Sequence, residues 1–442
     1  MSRILGIELR RSAALGTLAI LLTIAAVMLY SATQGWSEGW NGLSLAIRDN
    51  LMLIWPLALA AGAWQGRREH RAGVGELFTT VPRPYARRML PVLIAMSVAA
   101  VTAYVLTIAV AAPWIAGSSS YLPAEAVVAT LVGVLALVAA VALGLGVGRL
   151  LPYLATAPAL AVAAAAYVLF GLFRFTGELA WIGAALTPLS GIFQMYDFQV
   201  VDLRVSAAQA VAMLALAVTG GILFLIRGRL ALVALIPLIL GTGLALAVVP
   251  TDEDILDGPI DPAAQALVCT DDAPKVCVSR VHAGVLDDLV PHARKAVELL
   301  SRLPQAPATV AEDTHIYTEL ETPRPRADTL TVQIEIDKRG GLAYPGSLLP
   351  MMLDGAGVST VACGGSQGTA VARAAAFYLL GQEPLSAEKY VPHTTYESPE
   401  ANEEAVKLWK GLRALPEADA LAKVGAVRTA SLACQDTDGL LS

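Results

Sequence analysis

Long apolar runs recur along the first 250 residues, and a lipid bilayer is the environment that accommodates so many of them in one chain. A bilayer core about 30 Å thick takes roughly 20 apolar residues of helix. Runs near that length stand at 13–31, 50–65, 89–112, 125–148, 152–173, 206–226 and 230–250. Hydrophobic residues make up 56% of the chain against 15% charged, which excludes an ordinary soluble globular protein. The expectation is an α-helical polytopic membrane protein with about seven transmembrane helices. Arg3, Arg10 and Arg11 precede the first run as they would a signal peptide. That run is too long for one, however, and no small-residue cleavage site follows Tyr30, so it reads as an uncleaved signal anchor. Only Arg227-Gly228-Arg229 parts the last two runs. One continuous helix over 206–250 would be roughly 67 Å long, more than twice the bilayer core, so a tight hairpin is expected.

Charge divides the chain in two. Residues 1–250 hold 15 arginines, no lysine and 9 acidic residues, a formal net charge of +6, whereas residues 251–442 hold 16 basic and 28 acidic residues, a net −12. The transmembrane domain is thus expected over 1–250, a linker over 251–264 and an acidic domain over 265–442. With the N-terminus in the cytoplasm, twelve arginines fall on cytoplasmic segments: Arg3, Arg10, Arg11, Arg67, Arg68, Arg71, Arg83, Arg87, Arg88, Arg149, Arg227 and Arg229. Only Arg48, Arg174 and Arg204 fall on the other side, at predicted outer ends or in loops. The positive-inside rule favours this orientation, and an odd number of spans puts the acidic domain outside the cytoplasm. All four cysteines lie in that domain, which an oxidising compartment permits.

The C-terminal domain reads as α+β. Ala266–Cys269 and Val276–Val281 form a hairpin pattern, Leu286–Leu303 has helical periodicity, and Thr329–Asp337 alternates as a strand with Leu330, Val332, Ile334 and Ile336 inward. Further helices are expected near 369–381, 401–414 and 416–426. Four cysteines allow three pairings; the favoured one clips the hairpin with Cys269–Cys277 and ties the tail with Cys363–Cys434. No CxxC or HExxH spacing points to a metal, and the five histidines are scattered. Gly364-Gly365-Ser366-Gln367-Gly368 matches G-x-S-x-G, which would make Ser366 a nucleophile with His393 as its base. Yet no Asp lies between Ser366 and His393, so a structural turn is the preferred reading and no catalytic residue is assigned. Gly144, Gly146 and Gly148 sit inside an apolar run with no strand before them, so they read as helix-packing positions rather than a nucleotide loop.

The loop between the second and third runs, Gly66–Leu90, is basic but carries more than charge. Val74, Leu77 and Phe78 give a short helical stretch an apolar face, and Pro82 and Pro84 stop it. With Gly75-Glu76-Leu77, Thr80-Val81-Pro82-Arg83 and the Arg87-Arg88 pair, this loop resembles the one that carries the coupling helix in permease subunits of the type-2 ABC exporter family. Arg3–Arg11 resembles that family's interfacial elbow helix and Arg174–Ser206 its external re-entrant hairpin. The resemblance covers about 1–226; the seventh span and the C-terminal domain are additions to the family's usual six-span plan.

The resemblance implies a permease that works as a homo- or heterodimer in the plasma membrane, with Arg71, Glu76, Leu77, Phe78, Pro82 and Arg83 against a cytoplasmic ABC ATPase. The chain holds no GxxxxGK[ST] loop, and its first lysine is Lys275, so ATP would sit on the partner and this chain would be neither the enzyme nor a cofactor carrier. Ionisable residues are scarce inside the runs, which argues against an ion-coupled carrier. The alternatives are a membrane-anchored ligand- or partner-binding protein and a membrane-tethered serine hydrolase.

Overall fold

The computed structural model describes residues 8, 12–31, 36–37, 39–73, 84–174, 179–191, 197–226, 228–251, 258–315, 324–337, 339–358, 363, 369–385 and 399–442. Its contacts divide the chain into two units, residues 1–116 with 121–261, and 117–120 with 262–442.

In the first unit the apolar runs become helices: α1 (Ala14–Ser31), α2 (Trp40–Asp49), α3 (Leu51–Gly66), α4 (Tyr85–Ser118), α5 (Ala124–Leu150), α6 (Thr156–Arg174), α7 (Ala180–Leu186), α8 (Leu203–Leu225) and α9 (Leu235–Val248). Five helical segments among the described residues are long and apolar enough to cross a membrane, namely Ala14–Ser31, Tyr85–Gly117, Ala124–Leu150, Leu203–Leu225 and Leu230–Val248. A sixth is added if α2 and α3, bent by 48° at Asn50, count as one broken span. The run at 152–173 gives a shorter apolar stretch, Thr156–Gly171. Its sixteen residues extend about 24 Å, less than the bilayer core. The turn expected at 227–229 leads into a 3₁₀ segment, Gly228–Ala234, before α9.

Helix α5 is the centre of this unit, flanked by α3 on one side and α8 on the other. Its glycines explain why. A Cβ on Gly144 would stand 2.1 Å from the Leu59 carbonyl oxygen of α3, and one on Gly148 would stand 2.2 Å from that of Ala63. On the α8 side, a Cβ on Gly220 would stand 2.2 Å from the Leu143 nitrogen. Backbones this close need residues without side chains, because lipid offers no hydrophobic drive between helices and van der Waals contact must replace it. The glycine pattern is thus a packing device, as its place inside an apolar run implies.

Val200 donates its N–H to the Pro259 carbonyl at 2.9 Å, and Asp261 donates to that of Phe198 at 2.9 Å, so the chain after Gly258 pairs with the strand-like segment before α8. Residues 252–257 of the linker lie outside the described residues.

In the second unit a four-stranded sheet has the order β1 (Leu267–Cys269), β2 (Lys275–Ser279), β3 (Thr309–Glu312), β4 (Thr329–Val332). The β1–β2 pair is the expected hairpin, with Cys269 opposite Cys277. The β2–β3 and β3–β4 pairs are parallel, and α10 (Leu286–Leu300) makes the crossover between β2 and β3. Leu289, Ala293, Ala296 and Leu300 are its buried face. The strand expected over Thr329–Asp337 stops at Val332, but Ile334 and Ile336 remain buried, and Ile336 makes an isolated bridge to Leu342. Helices α11 (Pro345–Leu353), α12 (Thr369–Leu380), α13 (Pro399–Ala414) and α14 (Glu417–Leu432) complete the unit. Disulfides join Cys269 to Cys277 and Cys363 to Cys434.

Candidate functional site

Two clusters in the first unit carry most of its polar chemistry. One gathers the arginines flanking the 74–83 loop. At the end of α3, Trp64 projects beside Arg67 and Arg71, three and seven residues on, and both guanidinium carbons lie over its ring, at 5.3 and 4.7 Å. Arg67 also donates to the Tyr153 carbonyl at 3.0 Å. At the start of α4, Tyr85 receives Arg88 at 5.3 Å and Arg149 of α5 at 4.7 Å. Arg149 in turn donates to the carbonyls of Leu223, Phe224 and Ile226 at 2.8–2.9 Å, holding the orphan carbonyls at the end of α8. Carboxylates balance part of this charge: Glu8 pairs with Arg68 at 3.1 Å and Glu69 with Arg88 at 3.6 Å.

Between these groups lies a cavity of about 430 Å³, lined by the two ion pairs together with Gln65, Tyr85, Met89, Val92 and Phe224. Ala72 lines it too, so it opens between the two places where the 74–83 loop leaves and re-enters the described chain. Of the coupling residues expected from the sequence, Arg71 belongs to this cluster, stacked on Trp64; Glu76, Leu77, Phe78, Pro82 and Arg83 lie outside the described residues. Trp64, Tyr85, Glu8 and Glu69 were not singled out by sequence. The three-residue spacings Trp64–Arg67 and Tyr85–Arg88 are the signal that finds the first two.

The second cluster centres on Arg48, which the sequence places at an outer end or in a loop and which is fully buried at the C-terminal end of α2. Its guanidinium donates to the Pro188 carbonyl at 2.7 Å, the Ala129 carbonyl at 2.8 Å and Gln209 Oε1 at 2.6 Å. Gln209, equally buried, donates to the carbonyls of Ala184 and Leu189 at 2.7 and 2.9 Å. Asp49 Oδ1 accepts from the Ser190 N–H at 3.1 Å. The physical reason is the segment after α7: irregular backbone among apolar helices exposes carbonyls that must be satisfied inside the protein. An arginine, with five donors in a fixed fork, meets that need.

In the second unit, Ser366 and His393 lie outside the described residues. A different buried trio stands at the carboxyl ends of β2 and β3. His282 Nδ1 is 2.7 Å from Glu312 Oε1 and 3.3 Å from Ser279 Oγ, and the Ser279 N–H donates to Glu312 Oε2 at 2.6 Å. Both partners meet the same ring nitrogen, whereas nucleophilic relay uses the two nitrogens for the two partners. The trio therefore reads as a tie between strands. Arg428 of α14, also buried, donates to the carbonyls of Gln305, Ala327 and Ala356 at 2.8–3.1 Å. Among the described residues no group of three or more His, Cys, Asp or Glu is arranged to hold a metal ion.

Apolar helices of spanning length, joined to a unit closed by two disulfides, define the class: a helical membrane protein with a C-terminal unit suited to an oxidising compartment. No protein-family model matches the sequence, and neither a curated protein nor a solved structure matches the chain.

Proposed function

We propose that this chain is the membrane-spanning permease subunit of an ABC-type exporter, driven by a separate cytoplasmic ATPase. In this reading the plasma membrane is crossed seven times, with α6 as the fifth span and α2–α3 as the second. The arginine cluster faces the cytoplasm, and the disulfide-bonded unit lies outside as an accessory domain. The observation that supports it most is the pair of arginine–aromatic stacks on either side of residues 74–83. Stacked Trp64–Arg67–Arg71 flank the start of this loop and Tyr85–Arg88–Arg149 its end, so a movement of the loop is passed to α3, α4 and α5 rather than absorbed. A partner that contacts the loop differently in its two nucleotide states would thereby shift the permease between conformations.

The test is charge placed on the loop's apolar residues. Leu77→Asp or Phe78→Asp would bury an unpaired carboxylate in the contact with the ATPase, at a cost of a few kcal/mol. The expected result is a normal membrane level of the protein with lost co-purification of the ATPase, or retained binding with lost ATP-driven transport. Unchanged association and transport in both variants would refute the permease reading and favour a membrane-anchored binding protein.

A further inference from the structure

We propose that the cavity at the arginine-rich end of the first unit is a binding site for the headgroup of an aminophospholipid. The inference rests on the membrane class of the chain and does not depend on transport. Three observations carry it.

The first is an unmet donor. Gln65 is 3% exposed and lines the cavity; its Oε1 accepts from the Ala13 N–H at 3.3 Å, while its Nε2 has no hydrogen-bond partner. A buried amide N–H₂ is costly to leave unpaired, so an acceptor oxygen entering the cavity recovers a hydrogen bond the protein alone lacks.

The second is the charge pattern of the walls. Arg68 and Arg88 supply donors suited to a phosphodiester, and Glu8 and Glu69 supply acceptors suited to a primary ammonium. Among the described lining residues, two guanidiniums stand against two carboxylates, with no net charge. A zwitterion can exchange with both ion pairs and leave each sign partnered, whereas a bare phosphate or a purely anionic headgroup would draw the arginines away from Glu8 and Glu69 and leave those carboxylates without a cation.

The third is the apolar side. Met89 and Val92 of α4 and Phe224 of α8 line the same cavity, and both helices are among those able to cross a membrane. All three side chains are buried, so they give the cavity an apolar wall on which the glycerol end of a bound headgroup would rest. The volume, about 430 Å³, is in the range of small-molecule sites.

The test uses the full chain purified in detergent, with phosphatidylethanolamine, phosphatidylglycerol and inorganic phosphate titrated against it and bound species counted by native mass spectrometry. One phosphatidylethanolamine should be retained per chain at least about tenfold more tightly than phosphatidylglycerol, and Gln65→Leu should weaken it by about tenfold, the worth of one hydrogen bond to a charged group. Should Gln65→Leu fail to fold, Glu69→Gln serves instead: it removes one partner of the ammonium and should narrow the preference for phosphatidylethanolamine by a similar factor. Equal retention of the two lipids, unaffected by the variants, would show only annular lipid and overturn the proposal. Binding of inorganic phosphate as tight as that of phosphatidylethanolamine would overturn it as well, in favour of a simple anion site.

Discussion

The two units bury their interiors by different means. The first is packed on small residues: Ala58, Ala136, Ala139, Ala140 and Ala208 are completely buried where α3, α5 and α8 meet, with glycines letting backbones touch. Around its sheet the second unit is packed on larger ones, Val276, Leu289, Leu300, Val310, Leu353, Phe377 and Leu412, with buried alanines confined to its helices and loops, and it adds two disulfides. Solvent explains the contrast. In water, removing a leucine side chain from solvent stabilises by about 1.5–3 kcal/mol, so large side chains are the natural core. In lipid that gain vanishes, and close approach with internal hydrogen bonds takes its place. Both units nevertheless solve one problem alike. Each buries an arginine that donates to backbone carbonyls from distant parts of the chain, Arg48 to Pro188 and Ala129 in the first and Arg428 to Gln305, Ala327 and Ala356 in the second.

That parallel is the sharpest place to press. Arg48→Leu would leave the Pro188 and Ala129 carbonyls and Gln209 Oε1 without this donor; at roughly 1–3 kcal/mol each, a loss of about 5 kcal/mol is expected. Arg428→Leu should cost less, about 3 kcal/mol, because water can reach the loosened loops of the second unit. Burial holds the Arg428 guanidinium below its ordinary pKa, so it too gives up hydration for its carbonyl contacts. Unfolding of each variant followed in detergent would rank the pair; equal losses would break the argument from solvent.

The disulfides should matter only to the second unit. Cys363→Ser with Cys434→Ser opens a closure of 71 residues and should cost about 4 kcal/mol, while Cys269→Ser with Cys277→Ser opens one of 8 and should cost about 2.5 kcal/mol. Denaturation with and without reductant checks the order. Gly144→Leu drives a side chain into the backbone of α3 and should cost about 3 kcal/mol in the first unit. Gly221→Leu, where nothing lies within 4 Å of an added Cβ, should be tolerated. Equal extraction yields for both would contradict close packing at α3 and α5.

The smallest effect belongs to the surface. Hydrogen bonds from Arg326 and Thr329 hold the Asp328 carboxyl below its ordinary pKa. A depressed folded value means a contribution that is present above the unfolded pKa and lost as pH falls through the folded one. The pair is fully exposed and screened. Asp328→Asn should therefore leave the melting temperature unchanged at neutral pH, measured by a thermal scan.

What the sequence disclosed follows the range of each signal. The apolar runs, the hairpin clipped by Cys269–Cys277, the helix from Leu286 and the inward row Leu330, Val332, Ile334 and Ile336 are local periodicities, and the structure contains each of them. The burial of Arg48 was not legible, because it depends on partners 81 to 161 residues away, the carbonyls of Ala129 and Pro188 and the side chain of Gln209. Strand β3 was missed for a similar reason. Thr309–Glu312 is four residues long, and only its parallel neighbours on both sides make it a strand. In the candidate site, Arg71 was found from the basic run, whereas Glu8 and Glu69 enter through tertiary pairing.

The proposed topology puts the arginine-rich end of the first unit and the disulfide-bonded unit on opposite sides of the membrane. Since all four native cysteines are paired, an introduced cysteine is the sole thiol. Ser301→Cys and Ala72→Cys both fall on exposed positions, one in each unit. With a membrane-impermeant maleimide on intact spheroplasts, Ser301→Cys should label at once and Ala72→Cys only after permeabilisation. Labelling of Ala72→Cys in intact spheroplasts, or protection of Ser301→Cys until the membrane is opened, would contradict the account.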